Sequence, residues 1–133
     1  MILDTNYLID LFSGVPGAHE KAEELQERQV VQRIPATVLA ELEYGAEWQL
    51  DEDERRKIRN LSRMYSITEL DEPIARRAGR LYARAERETN GTTGADMIDA
   101  TVAAVGQIVD EPVLTADGTD FEDLGVSVET FRE

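Results

Sequence analysis

Apolar and polar positions along this chain alternate between two periods, and the switches between them define its elements. Met1-Ile2-Leu3-Asp4 reads as a short buried strand at residues 1–4, followed by a helix through about Phe12. Ser13-Gly14-Val15-Pro16-Gly17 breaks that helix. A polar amphipathic helix is predicted over 17–29, and Val30 to Ile34 reads as a second strand ending at Pro35. Thr37 stands where it could cap a helix carrying Val38, Leu39, Leu42 and Ala46. A charged helix is predicted around 51–63, with a third strand from Tyr65 to Thr68. Asp71-Glu72-Pro73 is a helix start, since proline is tolerated in the first turn. Ile74, Ala78, Leu81 and Ala85 line one face of that helix, and Asn90-Gly91 ends it. Thr93-Gly94-Ala95-Asp96 opens a further helix to about Gln107, with Ile98, Val102 and Val105 inward. Pro112 to Thr115 is a fourth strand and Val126-Ser127-Val128 a fifth.

Strands separated by helical stretches predict an α/β domain: a mostly parallel sheet of four to five strands with helices on both faces. The 133 residues contain no internal repeat, low-complexity tract or Pro/Gly-rich linker, so one domain over 1–133 is expected. No apolar run approaches the roughly 20 residues of a membrane span, and no signal peptide opens the chain. A cytoplasmic protein is the expectation.

Composition narrows the chemistry. The absence of cysteine excludes disulfides, thiolate zinc sites and cysteine nucleophiles. The only histidine, His19, sits in Ala18-His19-Glu20-Lys21, which looks like the outer face of a charged helix, so histidine-based catalysis has no other residue to rest on. Twenty-eight Asp and Glu stand against 14 Lys and Arg, giving a net charge of −14, and only Lys21 and Lys57 are lysines. So much like charge destabilises the compact state unless salt screens it. Acidic, lysine-poor surfaces resemble those of organisms that accumulate molar salt, and a halophilic source is the expectation.

In parallel sheets ligands bind beyond the carboxyl ends of the strands. Four acidic residues fall there: Asp4 after the first strand, Glu41 in the first turn after strand two, Asp96 in the first turn before strand four, and Asp117 after strand four. Asp99 follows Asp96 by three residues on the same helical face. Each has a local reading as well. Asp4 could cap its helix, Asp96 could complete a capping box with Thr93, Glu41 could be merely solvated, and Asp117-Gly118 is an ordinary turn. Taken together they point further. Converging carboxylates raise one another's pKa, a cost that a cation removes. Oxygen ligands alone select hard cations, chiefly Mg2+ with Mn2+ as substitute. Such an ion can activate water and stabilise a leaving oxygen, which is the outline of a phosphodiesterase site.

These residues carry a resemblance. Met1-Ile2-Leu3-Asp4-Thr5-Asn6 resembles the opening of a PIN domain, and Ala40-Glu41-Leu42-Glu43-Tyr44-Gly45-Ala46 is similar to the second motif of that family. Asp96-Met97-Ile98-Asp99-Ala100 resembles the third motif, although many members carry an aliphatic residue at the position of Asp99. Leu114-Thr115-Ala116-Asp117-Gly118-Thr119-Asp120-Phe121 resembles the fourth. No one motif is diagnostic; four in order over residues 1 to about 128 make the match. The pattern is nearest to the VapC-type toxin of a VapBC toxin–antitoxin pair.

The resemblance implies a PIN-like three-layer fold and a magnesium-dependent endoribonuclease. Asp4, Asp96 and Asp117 would be the metal ligands. Glu41 would bind metal or orient the attacking water. Thr115 would support the acidic cluster through its hydroxyl, with Asn6 behind it. Asp99 is either a ligand or water-holder or a solvated helix residue, and Asp120 either joins the site or caps a helix. The implied partners are an RNA substrate, a cognate antitoxin protein and a second copy of the chain in a homodimer. The alternative within the fold is an RNA-processing nuclease without a dedicated antitoxin. Small size and the lack of an appended RNA-binding domain favour the toxin.

A −14 chain needs a local remedy to hold RNA. Arg77, Arg80, Arg84 and Arg87 share a face of the 73–88 helix, and Arg55, Arg56, Arg59 and Arg63 cluster on the preceding one. Guanidinium forks suit phosphate, but ion pairs with nearby Glu86, Glu88 and Asp51 to Glu54 are the competing reading. Two other acidic-site families fail on particular residues. A haloacid-dehalogenase-like phosphatase needs a second Asp where Asn6 stands, and a receiver domain needs a late lysine, whereas no lysine follows Lys57.

Overall fold

The computed structural model describes residues 1–131. Five short strands alternate with seven helices in the order β1 (Ile2–Leu3), α1 (Thr5–Phe12), α2 (Pro16–Glu27), β2 (Arg33–Pro35), α3 (Ala36–Gln49), α4 (Glu52–Met64), β3 (Ser66–Thr68), α5 (Glu72–Glu88), α6 (Met97–Val109), β4 (Val113–Leu114), α7 (Gly118–Asp123) and β5 (Val128–Glu129). The strands form one sheet in the order β3-β2-β1-β4-β5, and every pairing is parallel. The expected α/β architecture, a parallel sheet flanked by helices, is therefore the one observed.

Register follows from burial. Ile2 and Leu3 are fully buried at the centre, level with Val113 and Leu114 of β4, while Ile2 faces Arg33 of β2. Both faces of the central strands are covered, so they read as continuous apolar runs rather than alternating ones. Val38, Leu42 and Ala46 of α3, Ile74, Ala78, Leu81 and Ala85 of α5, and Val102 and Val105 of α6 complete the core. Fully burying one such aliphatic side chain contributes about 1.5–3 kcal/mol, so these helix faces hold the layers together.

The central strand sends the chain left to β2 and β3 first, then right to β4 and β5. The topological switch point is therefore the gap between β1 and β4, and the crevice beyond their carboxyl ends is where such sheets bind ligands. Asp4 and Thr115 are the first residues past those two ends.

Several boundaries differ from the sequence reading, each for a local reason. β2 begins at Arg33 rather than Val30, and β5 is Val128–Glu129 rather than 126–128. Thr37 does not cap α3. The helix starts directly after Pro35, so Thr37 already lies in its first turn, and its hydroxyl meets Thr101 Oγ1 at 2.7 Å instead. The same early start puts Glu41 in the second turn of α3, not the first. Ile98 is half-buried and outside the core, whereas Val102 and Val105 are inside as expected. The helix that Asp120 could cap is α7, but it begins at Gly118, so Asp120 lies in its first turn and Asp117 takes the N-cap position. Helix α5 does end at the expected turn, with Asn90 and Gly91 both left-handed (φ 54° and 77°). His19 is exposed, as its neighbours suggested. Among the described residues no helix is long and apolar enough to cross a membrane.

Candidate active site

Asp4 is the residue around which the switch-point crevice is organised. It stands at the N-cap position of α1, yet its side chain makes no capping hydrogen bond. It is only 5% exposed, and Oδ2 accepts a hydrogen bond from Thr115 Oγ1 at 2.8 Å. Thr115 is completely buried and spends its one hydroxyl proton on Asp4. The same oxygen accepts from Asn6 Nδ2 at 3.2 Å and from the Asp117 N–H at 3.0 Å. Asn6 Oδ1 accepts the Ala116 N–H at 3.0 Å. Two segments more than 100 residues apart are thus tied into one polar knot at the ends of adjacent strands.

A buried carboxyl aimed away from its cap is an energetic cost. Burial pushes Asp4 up from 3.8 to about 6; the Thr115 hydroxyl and the Thr5 N–H oppose that rise, and the charges of Glu41 and Asp117 add to it. Glu41 is held toward this group by α1, since Thr5 Oγ1 donates to Glu41 Oε1 at 2.7 Å. Thr5 is a member of the site that sequence reasoning passed over, although it is the middle residue of Asp4-Thr5-Asn6.

The second cluster is at the start of α6. Asp96 is the N-cap and not a first-turn residue: its backbone is extended, its Oδ1 accepts the Asp99 N–H at 2.8 Å, and Asp99 Oδ2 accepts the Asp96 N–H at 3.0 Å. The capping box therefore pairs Asp96 with Asp99, and the expected box with Thr93 does not form. Thr93 lies three residues earlier in the loop, where its hydroxyl donates to Asp123 Oδ2 at 2.8 Å. Capping does not exhaust Asp99. Burial first, then the charges of Asp96 and Asp4 and a side-chain hydrogen bond with Asp96, lift it to about 7 against the backbone bond that lowers it. Asp99 is half-buried, and its carboxyl feels the charge of Asp4.

Asp117 is exposed at the N-cap position of α7 and makes no capping bond with its side chain. It meets Asp120, whose carboxyl rises to about 6 through partial burial, a hydrogen bond with Asp117, and the charges of Asp117, Asp123 and Asp96. Asp120 is wedged against the loop before α6; a Cβ added at Gly94 would lie 2.6 Å from its Oδ1. A side chain at 94 would push that carboxylate aside.

Six carboxylates, three within α3, α6 and α7 and three at the N-cap positions of α1, α6 and α7, therefore form one chain of mutual influence: Glu41 and Asp117 on Asp4, Asp4 and Asp96 on Asp99, Asp117 and Asp96 on Asp120. The donor set is all oxygen and fits a hard divalent cation. Among the described residues no three of these groups form a ready-made metal-holding cluster. The convergence expected of Asp4, Asp96 and Asp117 is partial. That fits an ion that takes one or two carboxylates and completes its shell with water and substrate oxygens.

A family model for the PIN domain matches residues 1–126. No curated protein matches the chain in sequence. Among solved structures, a DNA-bound VapBC complex from Salmonella typhimurium superposes with a TM-score of 0.77 at 21% identity, covering 98% of this chain and 97% of that one. FitAcB from Neisseria gonorrhoeae gives 0.75 at 20% identity, covering 96% and 94%. A toxin–antitoxin complex from Klebsiella pneumoniae gives 0.68 at 28% identity, covering 90% and 88%. With the family match over nearly its whole length and the sheet order and switch-point acids in place, the chain belongs to the PIN-domain family.

Proposed function

We propose that this chain is a divalent-metal-dependent endoribonuclease and the toxic component of a toxin–antitoxin pair, with Mg2+ as the cation and Mn2+ as its substitute. PIN domains are nucleases that generally use divalent metal ions. The observation that carries the reading is Asp4: a buried carboxyl at the switch point, pinned by Thr115 and facing the charges of Glu41, Asp117 and Asp99. Folding tolerates such an arrangement at a standing cost, and a bound cation removes it. The toxin assignment is supported by solved neighbours whose descriptions are of VapBC and other toxin–antitoxin complexes.

Asp4, Asp96 and Asp117 would hold the ion, with Glu41 beside them. When bound, a divalent cation neutralises phosphate oxygens and makes a water acidic enough to attack phosphorus. The chain's own residues do the rest. Thr115 Oγ1 fixes the rotamer of Asp4, and Asn6 holds the Thr115–Asp117 turn against α1. Glu41, restrained by Thr5, orients the attacking water. Asp99, whose Oδ2 accepts the Asp96 N–H at 3.0 Å, holds the start of α6 and with it Asp96 in position. Attack at phosphorus breaks the P–O3′ bond and leaves a 5′-phosphate and a 3′-hydroxyl.

The test is cleavage of RNA with Mg2+ or Mn2+, compared with excess EDTA, for wild type, Asp4→Asn and Asp96→Asn. Loss of activity in EDTA and in both variants is expected, with the fold retained; full activity in EDTA would sink the metal mechanism. Induced expression of wild type, but not of Asp4→Asn, should arrest growth, and co-expression of the neighbouring small protein should restore it. Harmless accumulation of folded wild-type protein would leave a processing nuclease without an antitoxin.

A further inference from the structure

In a chain with twice as many acidic as basic residues, a cation has many candidates for a carboxylate neighbour. Lys21, Arg28, Arg33, Arg55, Arg56 and Arg76 each have one. Arg80, Arg84 and Arg87 are exposed on α5 and, among the described residues, form no ion pair. Steps of four and three residues put them on one face, along about 10 Å of helix, beside the buried stripe of Ile74, Ala78, Leu81 and Ala85. Like charges at that spacing repel. An anion laid along the stripe is what relieves them.

The direction of the stripe gives it a purpose. Arg77, one turn before Arg80, donates to Gln107 near the C-terminal end of α6 at 3.2 Å. At the other end, Thr89 Oγ1 accepts the Thr93 N–H at 3.0 Å, three residues before Asp96. Helices α5 and α6 thus run antiparallel, and the path from Arg80 to Arg87 leads toward the end of α6 that carries Asp96 and Asp99. Arg59 and Arg63 are also without ion pairs, but α4 ends at Met64 against the amino end of β3, the opposite edge of the sheet from Asp4.

We propose that Arg80, Arg84 and Arg87 form a track for the phosphodiester backbone of single-stranded RNA, delivering the strand to the carboxylates at the carboxyl edge. The inference rests on the ribonuclease reading of that site. Guanidinium forks bind phosphate oxygens in pairs, and short-range contacts of this kind survive a net negative charge that opposes long-range attraction.

The experiment is fluorescence anisotropy with a labelled oligouridylate in excess EDTA, so that cleavage plays no part, over about 50 to 300 mM salt. Replacing Arg80, Arg84 and Arg87 together by Gln should weaken binding about tenfold or more and reduce the slope of log affinity against log salt by about 2. The matching triple Lys variant should keep the slope, and Arg59→Gln with Arg63→Gln should keep both affinity and slope. With Mg2+, the triple Gln variant should raise KM and leave kcat within about twofold. An unchanged slope in the triple Gln variant, an equal loss in the Arg59/Arg63 variant, or no RNA binding by folded wild type would overturn the track. A slope difference without any metal-dependent cleavage would uphold the track and refute the ribonuclease reading instead.

Discussion

Replacing Asp4 by Asn in the metal-free protein isolates the electrostatic cost of the site. Asp4 is 5% exposed, and burial raises its carboxyl from 3.8 to about 6. The unfolded chain holds that proton only below about pH 4. A carboxyl whose folded pKa is raised lowers stability as pH climbs from the unfolded value to the folded one; the penalty is absent below about 4 and complete above about 6. The interval corresponds to about 3 kcal/mol. Asn has the same shape and no charge, and its Oδ1 can accept the bond that Thr115 Oγ1 now gives to Asp4. Asp4→Asn should therefore stabilise the metal-free protein by about 2–3 kcal/mol near pH 7.5, or roughly 10 °C in Tm for a domain of this size.

Thermal melts in EDTA at about pH 4 and about pH 7.5 read this directly, with the stabilisation expected at the higher pH and nearly lost at the lower. Adding Mg2+ should narrow or reverse the gap, because the wild type gains ligand-binding free energy that the variant lacks. An Asp4→Asn protein that melts below wild type in EDTA near pH 7.5 would refute the reasoning, since it would mean the Asp4 charge is a net contributor to the fold.

Two further predictions rest on separate observations. With a net charge of −14, Tm should rise steeply from dilute buffer to molar salt, and chemically different salts should act alike; a flat response would count against both self-repulsion and a halophilic source. Thr115→Val keeps the volume of a fully buried side chain but deletes the hydroxyl that serves Asp4, Asn6 and the Asp117 N–H. Activity should fall about 10- to 100-fold. The acidic limb of the pH–rate profile should move up, because that hydroxyl holds the Asp4 pKa down; a limb that stays in place would remove Thr115 from any role in setting Asp4.

The parts of this fold that depend on neighbours in sequence could be read from the sequence. β1 and β4 are apolar pairs, β2, β3 and β5 carry Ile34, Ile67 and Val128, and the inward faces of α3 and α5 follow helical spacing, so element order and the parallel sheet were legible. What depended on geometry was not. Thr93 and Asp96 are both good caps three residues apart, and only the extended backbone at Asp96 decides between them. Thr37 was displaced as a cap by a helix that begins two residues earlier than a cap at 37 would allow. The carboxylates could be named from their places after strands, but the burial of Asp4 depends on a hydroxyl 111 residues away. The involvement of Asp99 depends on how close α6 comes to β1.

The acidic surface and the acidic site answer to different forces. Away from the site the chain pairs some of its acids with its own cations: Glu111 is shared by the α-amino group of Met1 and Arg33, Lys21 bridges Glu24 and Glu129, and Arg55 joins Glu47 to Glu52. At the carboxyl edge it does not. Among the described residues no lysine or arginine pairs with Asp4, Glu41, Asp96, Asp99, Asp117 or Asp120; hydroxyls, amides and neighbouring carboxyl groups hold them instead. Neutral donors fix the position of a carboxylate without cancelling its charge, so the field of six acids remains available to whatever enters from outside. A cation drawn into that crevice would bring positive charge to the edge that otherwise repels a phosphate most strongly. The same field would hold any partner that presents an arginine or lysine there, so a metal ion and an inhibitory protein would compete for the same oxygens.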